Sequence, residues 1–299
     1  MKSLIALSLS ATLLASCAGW TPSRESDALK VASWNLEHLA ERDGEGCAPR
    51  TEPDYARLRE HAIALGADVV AFQEVQNRAA AERVFDPAVY DVVMSGRPPS
   101  TRSGECRGRP GLFIQNQAVG FAIRKGIPWT RNPDVSALAL GNPDLRWGVD
   151  ITVSRGRPVR LLAVHLKSGC NAGRDPADPD CPVLFDQLPI LEGWIEARAR
   201  EDAAFVVLGD WNRRLAGAGD AFLADLNDGE PAGSMLTLTS GNRPAGCKVR
   251  YREYIDFIAT GVRASERTVA GSFEEYAYGG VPEDEHPSDH CPIAVRIAG

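Results

Sequence analysis

An α/β fold is the class that this sequence predicts, and three observations carry that prediction. A short apolar run from Leu29 to Trp34 leads into a helical pattern over 54–65, and a second apolar run follows from Asp68 to Phe72. The order returns later: Val159 to Val164, then apolar residues at helical spacing from Leu184 to Ile195, then Ala203 to Leu208. Strand-like runs that alternate with helical stretches make the chain a mixed α/β (α+β) protein. Third, the 299 residues are 44% hydrophobic and 24% charged, within the range of ordinary globular proteins. No linker interrupts 29–299, so a single domain is expected there.

Each element has a local reason. The first strand ends in Asn35-Leu-Glu37-His38-Leu39, and the 54–65 helix carries Leu58, Ala62, Ile63 and Leu65 and stops at Gly66. The second strand delivers Gln73-Glu74. Residues 77–85 fit a short helix and Tyr90 to Met94 a strand. From Ser95 to Gln117 periodicity is lost and Gly, Pro and Arg accumulate, as expected of a long functional loop. Strands resume at Ala118 to Arg124, Trp147 to Val153 and Val159 to Val164, the last ending in His165-Leu-Lys-Ser168. Pro189 predicts a kink or a second start in the 184–195 helix. Ala203 to Leu208 ends in Gly209-Asp-Trp-Asn212, so His165, a helix and Asp210 echo Asn35, a helix and Glu74. Residues 213–250 are rich in breakers, with a helical patch at Ala221 to Leu226. Tyr254 to Ile258 is a strand of bulky residues with Asp256 in its middle, and a carboxylate in such company needs a partner. The polar loop 271–285 leads to Glu285-His-Pro-Ser-Asp-His-Cys-Pro292 and a last strand, Ile293 to Ile297.

The N-terminus is read apart from this body. Lys2 and the apolar run Leu4 to Leu14 have the order of a secretory signal and are too short to span a bilayer. Leu14-Ala-Ser-Cys17 resembles the lipobox of bacterial lipoprotein precursors. That resemblance implies a signal peptide over 1–16, an acylated Cys17 and a polar tether over 17–28, and hence an exported protein anchored in the cell envelope. Export makes the six other cysteines, at 47, 106, 170, 181, 247 and 291, candidates for three disulfides. Cys170 and Cys181 bracket a breaker-rich loop that a disulfide would staple; the other pairings stay open.

The polar residues at strand ends are Asn35, Glu37, Glu74, His165, Asp210, Asn212, Asp256, Asp289 and His290. Oxygen donors of this kind suit Mg²⁺ (or Mn²⁺), which leaves positions for water and phosphate oxygens. Displacement at phosphorus is the matching chemistry. Five blocks, Ser33-Trp-Asn-Leu-Glu37, Phe72-Gln-Glu74, His165-Leu-Lys-Ser168, Gly209-Asp-Trp-Asn212 with Ile255-Asp-Phe257, and Ser288-Asp-His290, stand in the order of the endonuclease/exonuclease/phosphatase superfamily, the deoxyribonuclease I-like enzymes, which the chain resembles over nearly all of 29–299.

The resemblance implies a four-layer αββα sandwich of two central mixed sheets. It implies Asn35, Glu37, Glu74 and Asp289 around the metal, and Asp210 and Asn212 at the attacked phosphate, with Asp210 near the water. It also implies His290 held by Asp256, and His165 on the far side of the phosphate. The branch that repairs abasic sites uses a tyrosine ahead of its Gly-Asp-x-Asn block, and no tyrosine lies between Tyr90 and Tyr251, which disfavours that activity. His38 could reach the cleft from the Asn35 loop but is read without a direct role, His61 as a solvated helix position, and Pro287 breaks any helical zinc pair of His286 with His290.

The formal charge of −7 repels polyanions, so binding of nucleic acid requires a local basic patch. Arg97, Arg102, Arg107 and Arg109 on the long loop, and Arg213-Arg214 beside Asn212, are the candidates. Three functions compete at this level. A metal-dependent nuclease leads, a lipid phosphodiesterase or phosphatase is second, and a binding lipoprotein without catalysis is third.

Overall fold

Runs of Val, Ile, Leu and Phe set the two sheets, because β-branched and aromatic side chains pack well on a pleated surface. The computed structural model describes residues 28–100 and 104–299. In chain order the strands and helices are β1 (Leu29–Leu39), α1 (Glu52–Leu65), β2 (Val69–Val75), α2 (Arg78–Glu82), β3 (Tyr90–Met94), β4 (Glu105–Cys106), β5 (Arg109–Phe113), β6 (Ala118–Arg124), β7 (Trp129–Arg131), β8 (Val149–Arg155) and β9 (Arg157–His165). They continue as α3 (Asp180–Arg200), β10 (Phe205–Asp210), α4 (Ala221–Leu226), β11 (Thr237–Leu238), β12 (Asp256–Thr260), α5 (Val262–Ser265), β13 (Glu274–Glu275) and β14 (Ile293–Ile297).

One six-stranded sheet has the order β13-β14-β1-β2-β6-β3 and the other β11-β12-β10-β9-β8-β7. Both are mixed. In the first, β1 pairs parallel with β2 and antiparallel with β14; in the second, β9 pairs parallel with β10 and antiparallel with β8. The strand–helix–strand echo in the sequence is therefore a topological repeat, with β1-α1-β2 and β9-α3-β10 each forming the parallel centre of a sheet.

Period-2 alternation sorts β1 between two cores. Leu29 and Val31 join a cluster with Val69, Phe121, Leu161, Val207 and Ile258, residues from both sheets, so this core lies between them. Ala32, Trp34 and Leu36 join Tyr55, Leu58 and Leu65 of α1 on the outer face of the first sheet. Leu184, Leu188 and Leu191 of α3 extend the first cluster beyond the second sheet. Each such large side chain contributes roughly 1.5–3 kcal/mol on burial.

Helix α1 starts two residues earlier than expected, with the Asp54 carboxylate accepting from Thr51 N at 2.7 Å, and ends at Gly66 with φ 56°. Helix α3 runs through Pro189 without a second start; Pro189 faces solvent, where the carbonyl it leaves unbonded can meet water. The aperiodic stretch 95–117 holds a small hairpin, β4–β5, with Cys106 opposite Arg109. Its residues are mostly exposed on both faces, so no alternation marked it. Among the described residues no helix is long and apolar enough to cross a membrane. The signal peptide, Cys17 and Arg102 lie outside the described residues.

Three disulfides close the six cysteines as Cys47–Cys106, Cys170–Cys181 and Cys247–Cys291. The first pins the β4–β5 hairpin to the loop after β1. The second staples the loop ahead of α3, as the breaker-rich spacing suggested.

Gly209 illustrates how closely the sheet is packed at its functional end. Its φ is 148°, and a Cβ there would sit 2.0 Å from the carbonyl oxygen of Val164 on the neighbouring strand. Gly209→Ala should therefore lower the unfolding free energy by roughly 2 kcal/mol or more. Denaturant unfolding measures this, and an unchanged midpoint would contradict the packing.

Candidate active site

Parallel pairing brings the polar strand ends together. Asn35 lies opposite Gln73 in the β1–β2 pair, so both strands run out at one edge and deliver Glu37 and Glu74 there. His165 lies opposite Asp210 in the parallel β9–β10 pair, and β12 enters antiparallel with Asp256 opposite Asp210. Strand β14 begins at Ile293, opposite Ser33, so Asp289 and His290 precede it at the same edge.

Asp210 is at the centre and is buried. Its Oδ2 accepts from Asn35 Nδ2 at 3.0 Å, and its Oδ1 from the Asn212 backbone N–H at 2.8 Å. His165 Nε2 lies 3.5 Å and His290 Nε2 3.9 Å from Asp210 Oδ2. The other ring nitrogen of His290 hydrogen-bonds Asp256 Oδ2 at 2.6 Å. This is the acid–histidine pair that the resemblance implies, and it supplies the partner that Asp256 required. Asn212 donates from Nδ2 to the Leu166 carbonyl at 3.1 Å, which fixes its side chain.

On the opposite side, Glu74 accepts from the His38 N–H at 3.1 Å and lies 3.8 Å from His165 Nε2. Glu37 accepts from the Asp289 N–H at 2.9 Å. Six described non-glycine residues have left-handed φ, and Glu37, His38, Glu74 and Asn212 are four of them. Such backbone costs about 1–3 kcal/mol per residue and persists only where its surroundings hold it.

Burial and neighbouring charge tune these groups apart. Burial, reinforced by Asp256, pushes the Asp210 carboxyl up to about 7. Burial acts on His290 in the opposite sense, yet Asp256, Asp210 and Asp289 outweigh it and hold the imidazole well above its ordinary value. His165 is pushed well below by burial and by Arg146, so it is neutral at pH 7. Glu37 is raised by burial and by the Asp289 carboxylate. A cation between Glu37 and Asp289 would relieve that repulsion, which is the fit a metal site requires.

Glu37, Glu74 and Asp289 are hard oxygen donors that fit Mg²⁺ or Mn²⁺. Asn35 joins them less directly, since its amide is engaged by Asp210 and by the Glu37 N–H. Among the described residues, Asp210, Asp256 and His290 are the acids and histidines that bring three candidate donor atoms within 4.8 Å of one another. The 2.6 Å hydrogen bond already joins two of these three, and the imidazole is held protonated, so the group is better built to move a proton than to hold an ion.

The arginine candidates fare differently. Arg213 is not a substrate residue: it is fully buried, paired with Asp220 at 2.8 Å, and donates to the carbonyls of Cys170 and Gly173. Arg97 is also buried, bonded to Asn116 Oδ1 and the Pro143 carbonyl. Arg107 is exposed on the hairpin turn. Arg109 donates to the Cys47 carbonyl and lines a cleft that also holds Glu37 and Asp289.

Two contacts of the site were missed in the sequence. Arg50, in an aperiodic stretch, donates to the carbonyls of Glu37, Leu36 and Pro287 and so ties the loop after β1 to the one before His290. Ser288 Oγ donates to the Asn35 carbonyl at 2.7 Å. His38 stands beside Glu74 and Gln117, at the cleft that its loop allowed it to reach. His61 is partly buried, its ring edge-on to Tyr278 at 4.8 Å.

Comparison with solved structures finds the same architecture. Zebrafish (D. rerio) TDP2 in complex with a single-strand DNA product aligns with a TM-score of 0.60 at 19% identity, covering 90% of this chain and 98% of that one. A 3'-5' exonuclease (NExo) from Neisseria meningitidis gives 0.59 at 16% identity, covering 91% and 100%. The human Nocturnin catalytic domain gives 0.58 at 13%, covering 90% and 92%. No curated protein matches the sequence. Residues 32–290 match the Endonuclease/Exonuclease/phosphatase family, a span that contains all five sequence blocks. With the strand-end carboxylates and the Asp256–His290 pair in one cleft, the chain belongs to the endonuclease/exonuclease/phosphatase family of hydrolases acting on phosphoester bonds.

Proposed function

We propose that this protein is an exported, lipid-anchored phosphodiesterase that hydrolyses nucleic acid with the help of Mg²⁺ or Mn²⁺. One observation carries the reading: the 2.6 Å Asp256–His290 pair turns its free nitrogen toward Asp210, beside three carboxylates suited to a hard cation. Solved structures of similar fold support the substrate class, since they include NExo bound to a product DNA hairpin and zebrafish TDP2 bound to single-strand DNA. Export and the Cys17 anchor rest on residues 1–28 alone.

The metal, held by Glu37, Glu74 and Asp289 with Asn35 beside them, would neutralise phosphate oxygens that gain charge. The remaining work falls to side chains. Asp210, with a pKa near neutrality, orients water and accepts its proton. The His290 imidazolium, fixed by Asp256, and the Asn212 amide present N–H donors to the phosphate. Neutral His165 adds a donor from the far side without adding charge.

His290→Ala and Asp210→Ala should each lower turnover at least about 10²-fold with folding intact, and Asp256→Asn should cost less, since it disturbs orientation only. A protonated Asp210 cannot accept a proton, so kcat/KM should fall about tenfold per unit as pH drops below about 7. Near-full activity in either alanine variant, or a flat profile from pH 5 to 8, would contradict these roles.

A substrate panel tests the function itself. Cleavage of plasmid DNA or RNA should vanish on exhaustive chelation and return with Mg²⁺ or Mn²⁺. Activity that survives chelation would refute the metal requirement. Hydrolysis of sphingomyelin or phosphoinositides without cleavage of DNA or RNA would transfer the protein to the lipid phosphodiesterases, and the absence of any turnover would leave a binding lipoprotein. The anchor should appear as incorporation of labelled fatty acid that Cys17→Ser abolishes; equal labelling of that variant would sink the lipoprotein reading.

A further inference from the structure

Cations outside the 97–109 loop also line the site. A cleft of about 330 Å³ opens on Asp256 and His290, and its far wall is formed by Lys248, Arg250, Tyr251 and Arg252. Resting on the nucleic-acid reading above, we propose that the segment 245–252 is an arm that grips single-stranded nucleic acid beside the cut, with Lys248, Arg250 and Arg252 on phosphates and Tyr251 stacked on a base.

The arm's backbone is pinned while its side chains are left available. Ala245 N–H donates to the Arg252 carbonyl at 2.9 Å, closing the segment on itself. The Glu275 carboxylate accepts from the N–H groups of Gly246 and Cys247 at 2.8 and 3.0 Å, and Glu283 accepts from the Val249 N–H at 2.6 Å. The Cys247–Cys291 disulfide ties the arm to the residue that follows His290. The carboxylates of Glu275 and Glu283 are thus taken up by backbone donors. Among the described residues, Lys248, Arg250 and Arg252 form no ion pair, although the chain carries a surplus of acid.

Three cations that form no ion pair among the described residues share a cleft with His290 in an acidic protein, and so supply the local positive charge that a polyanion requires. The aromatic residue narrows the ligand further. Tyr251 is 52% exposed and carries the Arg250 guanidinium 5.5 Å from its ring centroid. An exposed ring flanked by a guanidinium is a stacking platform for an unpaired base, and stacking of this kind is worth a measurable fraction of single-strand affinity. In a duplex the base faces are already covered by their neighbours, so the ring selects single strands. Lys248 also lines the neighbouring cleft with Glu37, Arg109 and Asp289, so it stands between the two halves of the site.

The experiment is binding of a fluorescent single-stranded oligonucleotide by the mature protein in chelator, followed by anisotropy across a salt series. A variant with Lys248→Gln, Arg250→Gln and Arg252→Gln should lower the slope of log Kd against log salt by about 2, at ~0.7 per phosphate contact for single strands. Tyr251→Ala should weaken binding about fivefold or more, and Tyr251→Phe should restore it. The wild-type protein should bind the single strand more tightly than its duplex. Glutamine at the remote positions Lys125, Arg200 and Arg263 should leave the slope as it was, which separates the arm from net charge. An unchanged slope in the arm variant, or equal affinity for duplex, would overturn the arm while cleavage of nucleic acid still upheld the function. Binding of the arm to anionic vesicles with none to oligonucleotide, and no cleavage of DNA or RNA, would overturn both in favour of a lipid surface.

Discussion

The hydrogen bond from Asn35 to Asp210 joins the two sheets at the one edge where the site is built. Asn35 ends the regular pairing of β1 with β2, and Asp210 ends β10, so the bond holds two separately formed sheets at a defined separation. A carboxylate buried between the sheets is costly to ionise, and the same burial lifts its pKa into the range where it can take and return a proton. Asn35 answers one oxygen and the Asn212 backbone the other, so the charged form remains attainable without solvent.

Around that bond the rest of the site is held by side chains that donate to backbone carbonyls. Arg50 reaches the carbonyls of Leu36 and Glu37 at the end of β1 and of Pro287 before His290, and Ser288 bonds the carbonyl of Asn35 while Tyr278 bonds that of His290. The Arg50 bond to the Glu37 carbonyl helps hold one of the left-handed residues, Glu37, at the edge of the site. The Cys247–Cys291 disulfide adds a covalent tie from the residue next to His290 to the basic arm. The site therefore has a rigid floor made by strand ends and a rim of exposed cations set on a pinned backbone.

Much of this was readable before any fold was known. The apolar runs that became β1, β2, β10 and β14 stand at their observed places because period and composition are local properties. Their polar ends, Asn35, Glu74, Asp210 and His290, were visible because a carboxylate or imidazole directly after a buried strand has few structural reasons to be there. The topological repeat of two strand–helix–strand units was visible as an echo in order. Arg50 and Ser288 were invisible because they act through backbone carbonyls far away in sequence, and no spacing marks such a contact. The basic arm was hidden among breakers for the same reason.

The sequence by itself determined the fold class, the family and the acid, amide and imidazole set, since these depend on residue type and order along the chain. Tertiary structure alone decided which cations are available. Arg213 and Arg97 look like their neighbours in the sequence, yet Arg213 is buried against Asp220 and Arg97 against carbonyls, while Lys248, Arg250 and Arg252 line the cleft and form no ion pair among the described residues. The reason is physical: charge is read from composition, but whether it is neutralised depends on partners brought together across dozens of residues, and only the folded chain contains those distances.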